Sequence, residues 1–249
     1  MKNALVAPAL LLTLAALGAP ATAAGPGPGG TAPEIVVLYD FYDVAGGKVF
    51  DGSGLGHGAM LVAGDVVFGR NKPAVRLGGQ GMLTMAGEAP LVLASQPLTV
   101  GAMCRPTAPD GVLVAMGDEK DGFSLYVREG VPRFAVRTKG VLREVAAPEP
   151  LVLDQWAHVA GVVDPKGRIS LLVDTWPVAT AEGSLLADAS AEPLAVGADP
   201  GSPVGGYASP FHFHGLLQDV RLYRGVVSRD EHRDLLGEWA QRPGCGCRK

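Results

Sequence analysis

Residues 153–173 read LDQWAHVAGVVDPKGRISLLV, and this stretch decides the fold class. Two apolar runs, 156–163 and 168–173, flank the polar tetrapeptide Asp164-Pro165-Lys166-Gly167. Proline presets φ for the second position of a turn, and glycine tolerates the positive φ that closes one. Side chains alternate along a strand, so Trp156, His158, Ala160 and Val162 share one face and Ala157, Val159, Gly161 and Val163 the other. Both faces are largely apolar. That predicts a hairpin covered on two sides inside a packed sandwich, not a strand pair on a solvated sheet.

The same grammar runs through the rest of the chain. Short apolar runs at 34–42, 59–63, 74–77, 82–85, 98–104, 111–116, 123–127, 133–137 and 141–146 precede the hairpin, and 194–197 and 211–224 follow it. Gly, Pro and Asp separate them, as in an all-β protein. Links as short as Glu129-Gly130 predict a meander of antiparallel neighbours. One stretch, 228–237, reads as helix: Ser228 and Glu231 form an S-x-x-E capping box, and Gly237 stands where a glycine stops a helix.

The 249 residues carry 21 Lys+Arg against 25 Asp+Glu, a formal net charge of −4. Nothing in that balance favours nucleic acid or an anionic membrane as partner. Lys2, an apolar run at 4–17 and the small-x-small site Ala21-Thr22-Ala23 predict a secretory signal peptide over 1–23. The run is too short, with Pro8 inside it, to span a bilayer. No cysteine follows the cleavage site closely, which speaks against a lipoprotein anchor. Residues 24–33 then form a Gly/Pro linker, 34–238 a domain and 239–249 a tail. The expected location is secreted or extracytoplasmic. The three cysteines, Cys104, Cys245 and Cys247, allow at most one intramolecular disulfide. Two pairings stay open: Cys245 with Cys247, or Cys104 with one of them. A remaining tail thiol would be available to a disulfide-linked partner.

Four blocks stand in order along 35–236. The first ends in Asp51-x-Ser53-Gly54, and the second is Gly122-Phe123-Ser124-Leu125-Tyr126-Val127. The third is Trp156-x-His158-Val159-Ala160 with Gly167 through Asp174. The fourth is Phe213-x-Gly215-x-Leu217-x-Asp219-Val220-Arg221-Leu222-Tyr223 with Ser228-x-x-Glu231. Together they resemble the laminin G-like, concanavalin A-like lectin/glucanase jelly rolls of secreted bacterial proteins. The resemblance implies an all-β, two-sheet antiparallel jelly-roll sandwich with one short C-terminal helix. It also implies structural roles for Trp156, His158, Gly215 and Tyr223. The chain departs from the family pattern at Met103-Cys104, where a Trp is frequent, and at Thr175-Trp176, where Gly follows the hairpin Asp. Gln218 replaces a frequent acid before Asp219, which weakens an inference of calcium.

Candidate chemistry follows from particular side chains. Related glucanases place alternate carboxylates on one strand face as nucleophile and general acid. Here Glu119-Lys120-Asp121 lacks the further acid and falls in a turn, and neither a G-x-S-x-G elbow nor H-E-x-x-H occurs. His212 and His214, read as strand residues, share one face opposite Phe211 and Phe213, and would offer sugar hydrogen bonds or two metal ligands. The bland alternative is a half-exposed strand with its Phe face in the core. Asp40, Asp43, Asp51 and Asp219 would supply oxygens to Ca2+ if loops closed around them; otherwise they are turn and edge chemistry. Trp176, after Asp174, and Tyr207, in the loop 199–210, are the aromatic side chains expected to stack on a ligand, unless Trp176 folds back over the sheet edge. The functional expectation is a secreted, non-catalytic module that binds a glycan or a cell-surface protein. The alternatives are an adhesive envelope component linked through Cys245 or Cys247, and a divergent glycan-active enzyme.

Overall fold

Residues 32–86, 91–190 and 192–237 are described in this computed structural model. The expected leader, the linker up to residue 31 and the cysteine tail lie outside them. In chain order the strands are β1 (Glu34–Tyr39), β2 (Val44–Ala45), β3 (Lys48–Val49), β4 (Ala59–Phe68), β5 (Pro73–Met85), β6 (Leu98–Pro106), β7 (Gly111–Gly117) and β8 (Gly122–Arg128). They continue as β9 (Val131–Thr138), β10 (Val141–Ala146), β11 (Ala157–Val163), β12 (Ile169–Val173), β13 (Trp176–Ala181), β14 (Ala195–Val196) and β15 (Gly215–Arg224), and helix α1 (Arg229–Leu236) closes the series.

All pairings are antiparallel, and the strands follow one path, β10-β9-β8-β7-β14-β5-β15-β6-β11-β12-β13. The path folds over at β5. Its Leu83 and Thr84 pair with β14, while Val75 to Leu77 pair with β15. The two runs predicted at 74–77 and 82–85 are therefore one long strand that belongs to both sheets. The bend falls at Gly78–Gly81, where Gly79 has φ +61°, opposite the irregular step of β4 at Ala63, φ +50°. A front sheet (β10, β9, β8, β7, β14) thus faces a back sheet (β15, β6, β11, β12, β13), with the β4–β5 ribbon joining them. β1 pairs with β15 along its second half.

The hairpin forms as its sequence requires. The Asp164 carboxylate accepts the Lys166 and Arg168 amides at 2.8 and 2.9 Å, and Gly167, φ +82°, donates to the Asp164 carbonyl at 2.8 Å. Val159, Val163 and Leu171 point between the sheets with Phe123, Leu125 and Phe134. Each such side chain taken out of water contributes roughly 1.5–3 kcal/mol. The sheets approach closely at Gly161, since a Cβ there would lie 2.3 Å from the Phe134 ring. The opposite face of the hairpin is also covered: Ala160, Val162 and Leu172 form a separate small cluster.

Helix α1 begins as its capping box dictates. Ser228 Oγ accepts the Glu231 amide at 3.2 Å, and the Glu231 carboxylate accepts the Ser228 amide at 2.7 Å. The helix packs on the outer face of the back sheet, beside Gly101, Met103, His158, Arg221 and Tyr223. His158 therefore lies buried beneath α1 rather than between the sheets. Trp156 precedes β11, is half-buried, and is absent from the inter-sheet core.

Candidate functional site

Strand register builds an outward-facing row on the back sheet. Leu216 of β15 pairs with Arg76 of β5 and with Arg105 of β6, and Arg76 pairs with Asp65 of β4. The adjacent residues Leu217, Val75 and Cys104 are in the core, so alternation turns the charged row to the outside. Ala157 pairs with Cys104, so Trp156 continues the row beyond Arg105. Gly215 makes the close pairing possible: it has φ +144°, and a Cβ there would sit 2.2 Å from the Arg105 carbonyl oxygen.

This row floors a cleft of about 490 Å³ whose other lining residues include Thr107, Asp154 and His214. Arg105 is held in place, its Nε donating to the Asp154 carbonyl at 2.9 Å with the Asp154 carboxylate 3.6 Å from Nη2. His214 Nδ1 accepts the Gly79 amide at 3.3 Å, which leaves Nε2 as the ring donor facing the cleft. The Arg76 guanidinium and the Thr107 hydroxyl are committed to no other described residue. The cleft therefore combines anchored and uncommitted donors with two carboxylates, a set suited to the hydroxyl groups of a polar ligand.

The expected site residues fall in separate neighbourhoods. His214 lines the cleft. His212 does not share a strand face with it, because Phe211–His214 precede β15. That segment crosses from one sheet to the other, its backbone bonding to Val112, Gly197 and Thr107 in turn. The two phenylalanines part accordingly: Phe213 enters the main core, whereas Phe211 packs on the front sheet's outer face. The His212 ring has a buried Nδ1 without a hydrogen-bond partner.

Tyr207 lies on that front face. It stacks on Phe211 with centroids 4.9 Å apart and planes at 8°, and meets the Tyr126 ring edge-on at 4.7 Å. Its hydroxyl donates to Asp199 at 2.6 Å and accepts from Ser124 at 2.6 Å. Tyr126 donates to Glu144, which also receives Arg133 at 2.7 Å. Burial pushes both tyrosine hydroxyls, and the Asp199 carboxyl, above their ordinary pKa values. The loop 199–211 thus fills this face with the chain's own groups. Trp176 begins β13 and is 53 % exposed, but one ring face carries the Arg229 guanidinium 3.3 Å from its centroid.

The four aspartates are not brought together. Burial alone would raise the Asp51 carboxyl, but the Ser53 hydroxyl and the Leu38, Ser53 and His57 amides hold it below its ordinary pKa. Asp219 is spent on Lys72 at 2.6 Å and on Arg221 at 2.9 Å. Asp40 accepts the Tyr42 amide, and the Asp43 carbonyl accepts Phe50. Among the described residues no three His, Cys, Asp or Glu side chains gather to hold a metal ion. Asp121 is structural as well, accepting the Lys139 and Ala187 amides at 3.2 and 2.9 Å. Cys104 carries a free thiol wholly buried in β6, so a pairing with Cys245 or Cys247 would need a tail sulfur inside the sandwich. Among the described residues no helix is long and apolar enough to cross a membrane.

Comparison with known proteins agrees with this architecture. A family model described as Laminin_G_3, Concanavalin A-like lectin/glucanases superfamily, matches residues 77–231. No curated protein matches the sequence. Among solved structures, domain 4 of AbnA, a GH43 extracellular arabinanase from Geobacillus stearothermophilus in complex with arabinotriose, is similar at 18% identity and TM-score 0.64, over 82% of this chain and 98% of that one. The binding domain of Paraclostridial Mosquitocidal Protein 1 is similar at 13% identity and TM-score 0.64, over 83% and 52%. A botulinum neurotoxin type C structure, whose cell entry depends on two ganglioside molecules, gives 10% identity and TM-score 0.60, over 82% and 51%. The chain spans about half the length of those two toxin chains.

Proposed function

Because the chain belongs to the concanavalin A-like lectin/glucanase superfamily, we propose that it is a secreted, non-catalytic module that binds a short oligosaccharide in the cleft beside His214. One observation carries this reading. Arg76, Thr107 and His214 turn unused donors into a cleft of about 490 Å³, next to the fixed Arg105–Asp154 pair. Sugar recognition needs such a spread of donors and carboxylates. The arabinotriose held by the similar arabinanase domain supports the ligand class. Single carboxylates held by amides, such as Asp121, favour binding over hydrolysis, which needs a matched acid pair.

The test is titration calorimetry of the chain with arabinotriose and with a panel of other neutral and acidic oligosaccharides, repeated on Arg76→Ala and His214→Ala. Arg76 is exposed and His214 half-buried outside the core, so both variants should stay close to the native melting temperature. Each should weaken binding at least tenfold, about 1.4 kcal/mol. Glycan binding that both variants retain would place the ligand elsewhere, and no binding across the panel would refute the function.

A further inference from the structure

Helix α1 is docked in an unusual way for an amphipathic helix. Its single buried side chain is a histidine: His232 is 4% exposed, whereas Leu235 remains 38% exposed. The His232 ring lies 5.5 Å, centroid to centroid, from that of His158 on β11, itself 7% exposed. His158 Nδ1 is buried with no hydrogen-bond partner, and His232 Nδ1 is used by the Ser228 carbonyl at 3.2 Å. The space between helix and sheet is a cavity of about 20 Å³, room for about one water molecule.

We propose that α1 is an acid-released latch: protonation at the His158–His232 contact undocks the helix from the back sheet. At His232 the Ser228 carbonyl and Glu231 favour an imidazolium, but burial and Arg221 outweigh them. From β15, Arg221 adds a positive charge, and Asp219 is already neutralised by Lys72 and Arg221. Tyr223 receives Arg221 at its hydroxyl. From β6, Thr99, Gly101 and Met103 bring no charge. Beyond β12, Asp174 spends an oxygen on the His158 backbone amide at 2.9 Å, and Arg70 acts on that carboxylate. On the helix, Glu231 is held by the Ser228 amide and Arg229 by Trp176, while Arg233 pairs with Asp230 and Asp234 at the surface. A cation at His232, one turn into the helix, also opposes the positive end of the helix dipole.

The sign follows from burial. Desolvation first, then the neighbouring histidine and Arg221, lower the His158 pKa to about 3, and burial lowers that of His232. The released state takes up protons from about pH 6.5 downward, so docking is complete above that value and weakens as pH falls toward 3. One pKa unit of difference is a tenfold shift in the docking equilibrium.

Hydrogen exchange of the full chain, read by mass spectrometry at pH 7.5 and pH 5.0 and corrected for intrinsic rates, tests the latch. The α1 amides should lose at least tenfold of their protection at the lower pH, while those of β8 keep theirs. The H232F variant, in which only His158 can still take up a proton on release, should show a smaller acid loss of α1 protection than the natural chain; if it leaves α1 open already at pH 7.5, H232Q takes its place under the same criterion. Equal α1 protection at both pH values in the natural chain would overturn the proposal, as would an acid loss of unchanged size in the variant.

Discussion

The two outer faces of the sandwich are covered by different means. On the front sheet the loop 199–211 lays Tyr207 and Phe211 over Tyr126 and joins them to Ser124, Asp199 and Glu144 through hydroxyl hydrogen bonds. On the back sheet, α1 rests on two histidine rings, one with an unpartnered nitrogen. In the front cover burial drives the two phenols further from neutral pH. The back cover instead rests on two imidazoles, groups that ordinarily titrate close to it. Beyond the helix and the buried Ala160–Val162–Leu172 cluster, the back face opens along the Arg76–Arg105 row, where it meets the cleft. One architecture thus yields a closed face, a conditional face and an open one.

The largest perturbation should erase the contrast altogether. Phe134→Ala removes the ring that sits against Gly161 and supports both sheets at once. Its expected cost is about 3–5 kcal/mol, read as a fall in the denaturation midpoint, and both covers should become exchange-labile together. A loss confined to one face would show that the two sheets do not share this support. A smaller change should split the faces. Tyr207→Phe keeps the stack on Phe211 but strips Asp199 and Ser124 of their shared hydroxyl. Leaving those buried groups short of a partner should cost about 1–3 kcal/mol. Loop 199–211 should then exchange faster while α1 is unaffected, and an unmoved denaturation midpoint would mean the network contributes nothing to closure.

The fold was legible because its signals are local. The Asp164–Gly167 turn, the alternation in β11 and the Ser228–Glu231 capping box each need only a few neighbouring residues, and each forms as read. The site was not legible in the same way. His212 and His214 alternate on paper, but the chain around them spends its backbone bonds on three separate segments, at Val112, Gly197 and Thr107, so no ladder orients the two rings together. Asp219 looked available to a cation until the long-range contact with Lys72 claimed it. Arg76 was missed although it carried a signal: a lone charge between the core residues Val75 and Leu77 must face outward. What it faces, Leu216 and through it Arg105, depends on β15 returning more than a hundred residues later, and no local pattern encodes that register.

The finest separation between the covers comes from the helix cap. Ser228→Ala removes the acceptor of the Glu231 amide and breaks the reciprocal box, while the packing of His232 on His158 is unaltered. Loss of such a cap costs about 1 kcal/mol, a factor of roughly five in the population of the docked helix. Global stability should hardly move, since α1 adds little to the inter-sheet core. The α1 amides should exchange several-fold faster at pH 7.5, and their further loss of protection on acidification should be as large as in the natural chain. That last point discriminates. If the cap alone held the helix, removing it would abolish the pH response; if the histidine contact is the conditional element, the response survives on a weaker baseline.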